Sequence, residues 1–319
     1  MRSSGYSVSP EALNRWLAEA IPDQSGRTFL ITGANGGLGT ATAEQLARRG
    51  ARVILACRRP DQGEALAHRI GSAAEVLPLD LADLTSIGKA AAVCGAVDVV
   101  VAVAGVCHVP WGLTADGFEQ HIGINHLGHF ALIGQMLDRI RDRVVVVTSR
   151  AHEFVGRPGF GDFVPEDPGW QTRKYSAFDA YCQAKLANLL FVNELQRRLK
   201  ASGSPLTAVA AQPGWCDTEA GMHSGKPWGD VSWKLMCRAI GQSSSVGALS
   251  IVYASAADTV EPGAYYGPDR LFGMRGMPAP ARAGRVARDP DLMSELWSAS
   301  ERHTGVRFRD PTDASQREV

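Results

Sequence analysis

The chain has 319 residues, with 33 Lys+Arg against 33 Asp+Glu and 45% apolar residues. A formal charge of zero gives no basic field for nucleic acid or an anionic membrane surface, so partners of those classes are not expected. The longest apolar runs reach about 10 residues where a bilayer needs roughly 20, so no membrane span is expected either.

The first ten residues lack the apolar core of a secretory signal. Six Cys, at 57, 94, 107, 182, 216 and 237, include no C-x-x-C pair and read as reduced thiols of a cytoplasmic protein. In chain order, a helix is predicted near residues 10–20, capped by Ser9, with Leu13, Trp16, Leu17, Ala20 and Ile21 on one face. A strand follows at Thr28 to Thr32, then a Gly-rich turn and a helix from Leu38 to Arg49 that stops at Gly50. Strands at Arg52 to Ala56 and Glu75 to Leu79 flank a helical stretch from Asp61 to Ile70. Val97 to Ala104 and Val144 to Val147 are almost wholly apolar, the mark of strands covered on both faces. Further strands are predicted at Leu206 to Ala211 and near Ala264 to Tyr266.

This alternation predicts one Rossmann-type, doubly wound parallel α/β sheet of about seven strands with helices on both faces. The expected division is a helical extension over 1–24, a catalytic domain over 25–302 and a tail over 303–319.

Residues 32–39 read T-G-A-N-G-G-L-G on the first strand-to-helix junction. A structural turn would use the same glycines. Placed there, however, Gly33, Asn35, Gly36, Gly37, Leu38 and Gly39 suit a backbone cradle for a dinucleotide pyrophosphate. The spacing fits T-G-x-x-x-G-x-G and T-G-x-x-G-x-x-G equally. At the end of the second strand stand Arg58 and Arg59, with no carboxylate before Asp61. Guanidinium matches a 2′-phosphate bidentately, so NADP(H) is favoured over NAD(H); two solvated arginines are the alternative.

Tyr181 and Lys185 stand four apart in a segment of helical periodicity and so share a face. They are either an exposed polar pair or a phenol whose pKa a fixed cation lowers. In the second case Tyr181 exchanges a proton with a carbonyl or alcohol oxygen and Lys185 bonds the nicotinamide ribose. Ser149 ends the Val144 strand at the carboxyl edge, where its hydroxyl can hold the reacting oxygen. Asn125, in G-I-N-H-L-G-H-F, can hold a water that connects Lys185 to solvent.

With T-G-A-N-G-G-L-G, Asp80-Leu81, Asn125, Ser149, Y-C-Q-A-K at 181–185 and P-G-W-C-D-T at 213–218, the chain resembles the short-chain dehydrogenase/reductase family from about residue 27 to 270. D-G-F-E-Q-H-I-G-I-N-H-L-G-H-F and the 32 positions between Ser149 and Tyr181 resemble the retinol dehydrogenase and protochlorophyllide reductase-like branch. The resemblance implies a catalytic tetrad of Asn125, Ser149, Tyr181 and Lys185. It implies adenine contacts from Asp80 and Leu81 and adenosine-side contacts from Ala104 and Gly105. Pro213, Gly214 and Thr218 would hold the nicotinamide end. A homo-oligomer through the helices bearing Asn125 and Tyr181 is also implied, though the insertion and N-terminal helix are placed to alter it. One departure is plain: Ala102-Val103 stand where the family has two Asn, so amides that tie this strand to its neighbours are missing.

Substrate contacts are expected from His152 to Tyr175 and from Glu219 to Gln242, where Trp228, Trp233, Met222 and Met236, with Trp215 just before them, suggest a lid over a hydrophobic molecule. His121, His126 and His129 cluster without a completing carboxylate or thiol, so no metal is expected. The expected activity is an NADP(H)-dependent interconversion of a small-molecule carbonyl and alcohol. The competing readings are an NADP(H)-binding sensor or scaffold without turnover, and a sugar-nucleotide epimerase, which would need a larger C-terminal domain.

Overall fold

The computed structural model describes Tyr6, residues 8–216 and residues 241–308. Eight strands form one sheet in the order β3-β2-β1-β4-β5-β6-β7-β8. They are β1 (Thr28–Thr32), β2 (Arg52–Cys57), β3 (Ala74–Pro78), β4 (Val97–Ala102), β5 (Ile140–Val147), β6 (Thr207–Ala211), β7 (Tyr265–Arg270) and β8 (Arg275–Pro280). The first seven pair in parallel, as the apolar runs predict, whereas β8 pairs antiparallel to β7. The expected count of about seven is therefore one short. The missed strand, R-G-M-P-A-P, carries two prolines and no apolar alternation.

The helices are α1 (Pro10–Ala20), α2 (Gly37–Arg48), α3 (Pro60–Ile70), α4 (Leu84–Val93), α5, α6 (Ala177–Ala201), α7 (Ser244–Ala256) and α8 (Pro290–Thr304). Helix α5 is composite: Gln120–Ile122, a π-helical segment Gly123–Leu127, and Gly128–Met136. Ser9 caps α1 by accepting from the Ala12 N–H.

Alternation along the central strands divides the core in two. Val97, Val100, Ala102, Val144 and Val146 pack with α4, α5, α6 and α8, while Val99, Val101, Val145 and Val147 pack with α1, α2 and α7. A strand buried on both faces has no polar positions to show a period of two, hence its unbroken Val runs. β5 begins four residues before the predicted Val144. Its charged start is accommodated because Arg143 donates to the Ala254 carbonyl at 2.9 Å and Asp142 pairs with Arg27. Beyond α8, Val306 and Phe308 pack on the same core, Phe308 lying 4.5 Å from Trp297 and 4.7 Å from Phe130 between ring centroids.

Candidate active site

Strand order reverses between β1 and β4, and at the carboxyl ends of these strands a cleft of about 1270 Å³ opens. It is lined by the turn after β1, Arg58 and Arg59 after β2, Asp80 and Leu81 after β3, Ala104 and Gly105 after β4, Ser149 after β5, Tyr181 and Lys185 on α6, and Pro213 and Gly214 after β6. Of the sequence-predicted residues that are described, all but the fully buried Asn125 come together along one groove. Thr218 and the aromatic stretch from 219 lie outside the described residues, apart from Gly241 and Gln242 at its end.

The turn is built so that backbone donors face the cleft. Gly33 has φ +63°, and a Cβ on it would lie 2.8 Å from the Ala104 Cα; one on Gly39 would lie 2.2 Å from the Gly33 carbonyl oxygen. Both positions require glycine, and both belong to either spacing pattern, so the turn itself does not separate the two. Gly36 caps α2 without a side chain, and the first intrahelical donor is Thr40 N–H to Gly36 O at 2.7 Å. The Gly37, Leu38 and Gly39 amides just ahead of it are the unused donors that suit an anion at a helix N-terminus. Asn35 turns instead to α3, donating to Gln62 Oε1 at 2.8 Å. Arg58 and Arg59 are exposed, and neither pairs with a described carboxylate.

At the other end the groups are already tied up. Lys185 Nζ donates to the Val147 carbonyl at 3.1 Å and lies 5.7 Å from the Tyr181 ring centroid. Burial pulls the Lys185 ammonium down to about 8. Tyr181 is partly exposed along the cleft, yet protein surrounds its hydroxyl. Burial therefore raises the phenol well above its ordinary value, reinforced by the Cys107 thiol and opposed by a hydrogen bond with Ser149. The expected lowering by Lys185 is not what sets this group: burial dominates, and the ammonium, 5.7 Å from the ring centroid, donates to the Val147 carbonyl instead. Ser149 caps the short 3-10 turn Arg150–Phe154 by accepting from Ala151 N–H at 3.2 Å.

Asn125 occupies the π-helical segment and is fully buried. Its side chain clamps Val106, accepting from the Val106 N–H at 2.8 Å and donating to the Val106 carbonyl at 3.0 Å. This fixes the loop that carries Gly105 and Cys107. Both polar atoms of the Asn125 side chain are used on that backbone.

The missing amides at 102 and 103 have a substitute that sequence reasoning did not find. Thr32 Oγ1 accepts from Val103 N–H at 3.0 Å and Ala104 N–H at 3.1 Å, and contacts His129 Nε2 at 2.8 Å. With two donors already on it, the hydroxyl gives its own proton to Nε2, which leaves the imidazole proton on Nδ1 to bond the Asn125 carbonyl at 3.0 Å. Burial keeps this imidazole neutral, with a pKa near 4, so the tautomer is fixed. The signal was the spacing of four between Asn125 and His129. The other clustered histidines go elsewhere, His126 to Ser300 Oγ at 2.9 Å and His121 to Glu119 Oε1 at 2.7 Å.

The apolar wall comes only partly from the predicted insertion. Phe154 and Phe178 line the cleft, Phe160 packs on both, and His108 continues the row from Phe178 to Tyr181 at ring separations of 5.5 and 6.0 Å. Trp170 and Tyr175 pack on each other, with Arg173 over Trp170, away from the cleft lining. Opposite stands the β7–β8 turn, where Leu271 and Phe272 take left-handed φ of 49° and 55° and Phe272 is 81% exposed at the mouth.

A family model described as short chain dehydrogenase matches residues 27–161. Human retinol dehydrogenase 13 is 37% identical over 88% of this chain and 85% of its own. The chain belongs to the short-chain dehydrogenase family. Membership makes it an oxidoreductase of the alcohol–carbonyl couple, in the branch that includes the retinol dehydrogenases. Mouse polyprenol dehydrogenase is similarly close, at 37% over 90% of this chain and 86% of its own. Among solved structures, an uncharacterized protein from Mycobacterium Paratuberculosis is 42% identical, covering 92% of this chain and 99% of its own, with a TM-score of 0.78.

Proposed function

We propose that the protein is an NADP(H)-dependent dehydrogenase/reductase of hydrophobic alcohols and their carbonyl partners, with Tyr181 as general acid and base. The observation that carries this is the meeting of Ser149, Tyr181 and Lys185 at one end of a cleft whose other end is the open turn at Gly33 to Gly39. The groove fits an extended dinucleotide: unused amides at the α2 start suit its pyrophosphate, and the unpaired guanidinium groups of Arg58 and Arg59 suit a 2′-phosphate. When bound, a nicotinamide supplies or accepts the hydride.

The chain's own residues handle the proton. The Ser149 hydroxyl holds the substrate oxygen toward Tyr181, whose phenol gives that oxygen a proton in reduction and takes one in oxidation. A phenol raised by burial is a firm proton holder, and a phenolate formed there would be favoured by the Lys185 ammonium, 5.7 Å from the ring centroid. Asn125 fixes Val106 and thereby the cleft wall.

The row Phe160, Phe154, Phe178 and His108 supports a long apolar substrate. Relatives named for retinol and polyprenol point the same way. The thiol usage read from the sequence supports work in the cytoplasm. Helix α8, Val306 and Phe308 pack against α5 and α6, which supports a monomer rather than assembly through that face.

The test is Tyr181→Phe, assayed with NADPH and NADH against a panel of apolar aldehydes and alcohols. The variant should bind NADPH as the parent does and lose turnover by about 10³-fold; unchanged turnover overturns the reading.

A further inference from the structure

We propose that His152 is a positioning residue for the reaction, fixing the peptide of Ser149 and tying it to the segment after β8. The inference rests on the reading of Ser149 given above. His152 is only 2% exposed and touches no bound reactant in that reading, because its ring is turned from the cleft into the protein. Its Nδ1 lies 2.7 Å from the Ser149 carbonyl oxygen, and its Nε2 lies 3.1 Å from the Gly284 backbone nitrogen.

These two partners determine the proton. A backbone N–H can only donate, so Nε2 is the acceptor and the imidazole hydrogen sits on Nδ1, directed at the Ser149 carbonyl. Burial holds the ring neutral, the form this geometry needs. The Tyr265 ring meets it edge-on at 6.0 Å.

Ser149 needs such a clamp. Its neighbour Thr148 is held by Oγ1 to the Lys185 carbonyl at 2.8 Å and by its N–H to the Ala211 carbonyl at 2.8 Å. Past Thr148 the chain leaves β5 and enters a short 3-10 turn, where ladder bonds end. The Ser149 peptide is then held by the turn's own bond from the His152 N–H, at 3.2 Å, and by the shorter imidazole bond. Rotation of that peptide would swing the Ser149 hydroxyl away from Tyr181. Gly284 anchors the far side: its segment joins β7 through Ala281 N–H to Tyr265 O at 2.7 Å and α6 through Asn193 to Ala287 O at 2.6 Å. One imidazole thus connects the carbonyl-holding hydroxyl to the helix that carries Tyr181.

An Asn amide reaches about as far as Nδ1 and a Gln amide about as far as Nε2, so the two substitutions separate the bonds. His152→Leu and His152→Gln should lower kcat by about 10- to 100-fold, the cost of a small misplacement, with KM and NADPH affinity within about threefold of the parent. His152→Asn should recover kcat to within about threefold of the parent. Equal activity of the Asn and Gln variants overturns the proposal, as does a kcat loss that follows the folded fraction measured by circular dichroism. Should His152→Leu fail to fold, the Asn and Gln pair still decides. Ser149→Ala and Tyr181→Phe are measured alongside: normal turnover in both defeats the reading of the site, whereas inactive controls beside fully active His152 variants defeat the clamp alone.

Discussion

The two ends of the cleft are built on opposite principles. At the Gly33 turn the chain presents unused backbone donors and exposed arginines, a hydrated surface that a charged ligand completes. Around Tyr181 the key polar side chains are engaged within the protein: Lys185 on Val147, Asn125 on Val106, and His129 between Thr32 and the Asn125 carbonyl. Water screens the first end and is excluded from much of the second, so a lost contact costs little at one and much at the other.

The largest expected effect lies at the enclosed end. Lys185→Met should reduce turnover by about 10³-fold with NADPH binding weakened far less, seen by comparing steady-state rates with fluorescence titration. A comparable loss of turnover from any single substitution in the Gly33 turn that still binds NADPH would break the contrast.

Acid should act through the same burial. The imidazoles of His126 and His129 are held near 3 and 4, against 6.5 when the chain unfolds. The unfolded chain therefore binds protons that the folded one refuses. Stability is complete above about pH 6.5 and falls by about 1.4 kcal/mol per unit for each ring as pH drops toward those values. Urea midpoints measured from pH 7 to pH 4.5 should show this slope, and His129→Gln should flatten it.

Smaller, and confined to the open end, is the effect of Arg58→Ala with Arg59→Ala. NADPH affinity should fall by about 10- to 100-fold and NADH affinity by less than about threefold, measured by titration calorimetry. Equal losses for both dinucleotides would remove the arginines from cofactor choice. The least effect is expected from Phe272→Ala, which should raise KM for long apolar substrates by about 3- to 10-fold with little change for short ones.

The open end was legible in the sequence because its parts are local. Turn, strand and helix follow one another within Thr28 to Arg48, and Arg58 directly follows β2. Tyr181 and Lys185 were legible for the same reason, one helical turn apart on α6. What escaped notice depends on distant chain meeting in space. Thr32 and His129 are 97 residues apart, and His152 and Gly284 are 132 apart. β8 escaped because edge strands need little apolar patterning, and Phe272 because a bulky residue in left-handed backbone contradicts turn preferences. The sign of the Tyr181 shift was missed since spacing shows that a cation is near and not how much protein encloses the oxygen.

Pro278 and Pro280 in β8 have a consequence for the behaviour of the protein in concentrated solution. Each lacks the N–H that an added strand would need, and both sit on the outermost strand of the sheet. That margin is a poor template for stacking another chain, so recovery from partial unfolding at high concentration should favour refolding over fibrous association.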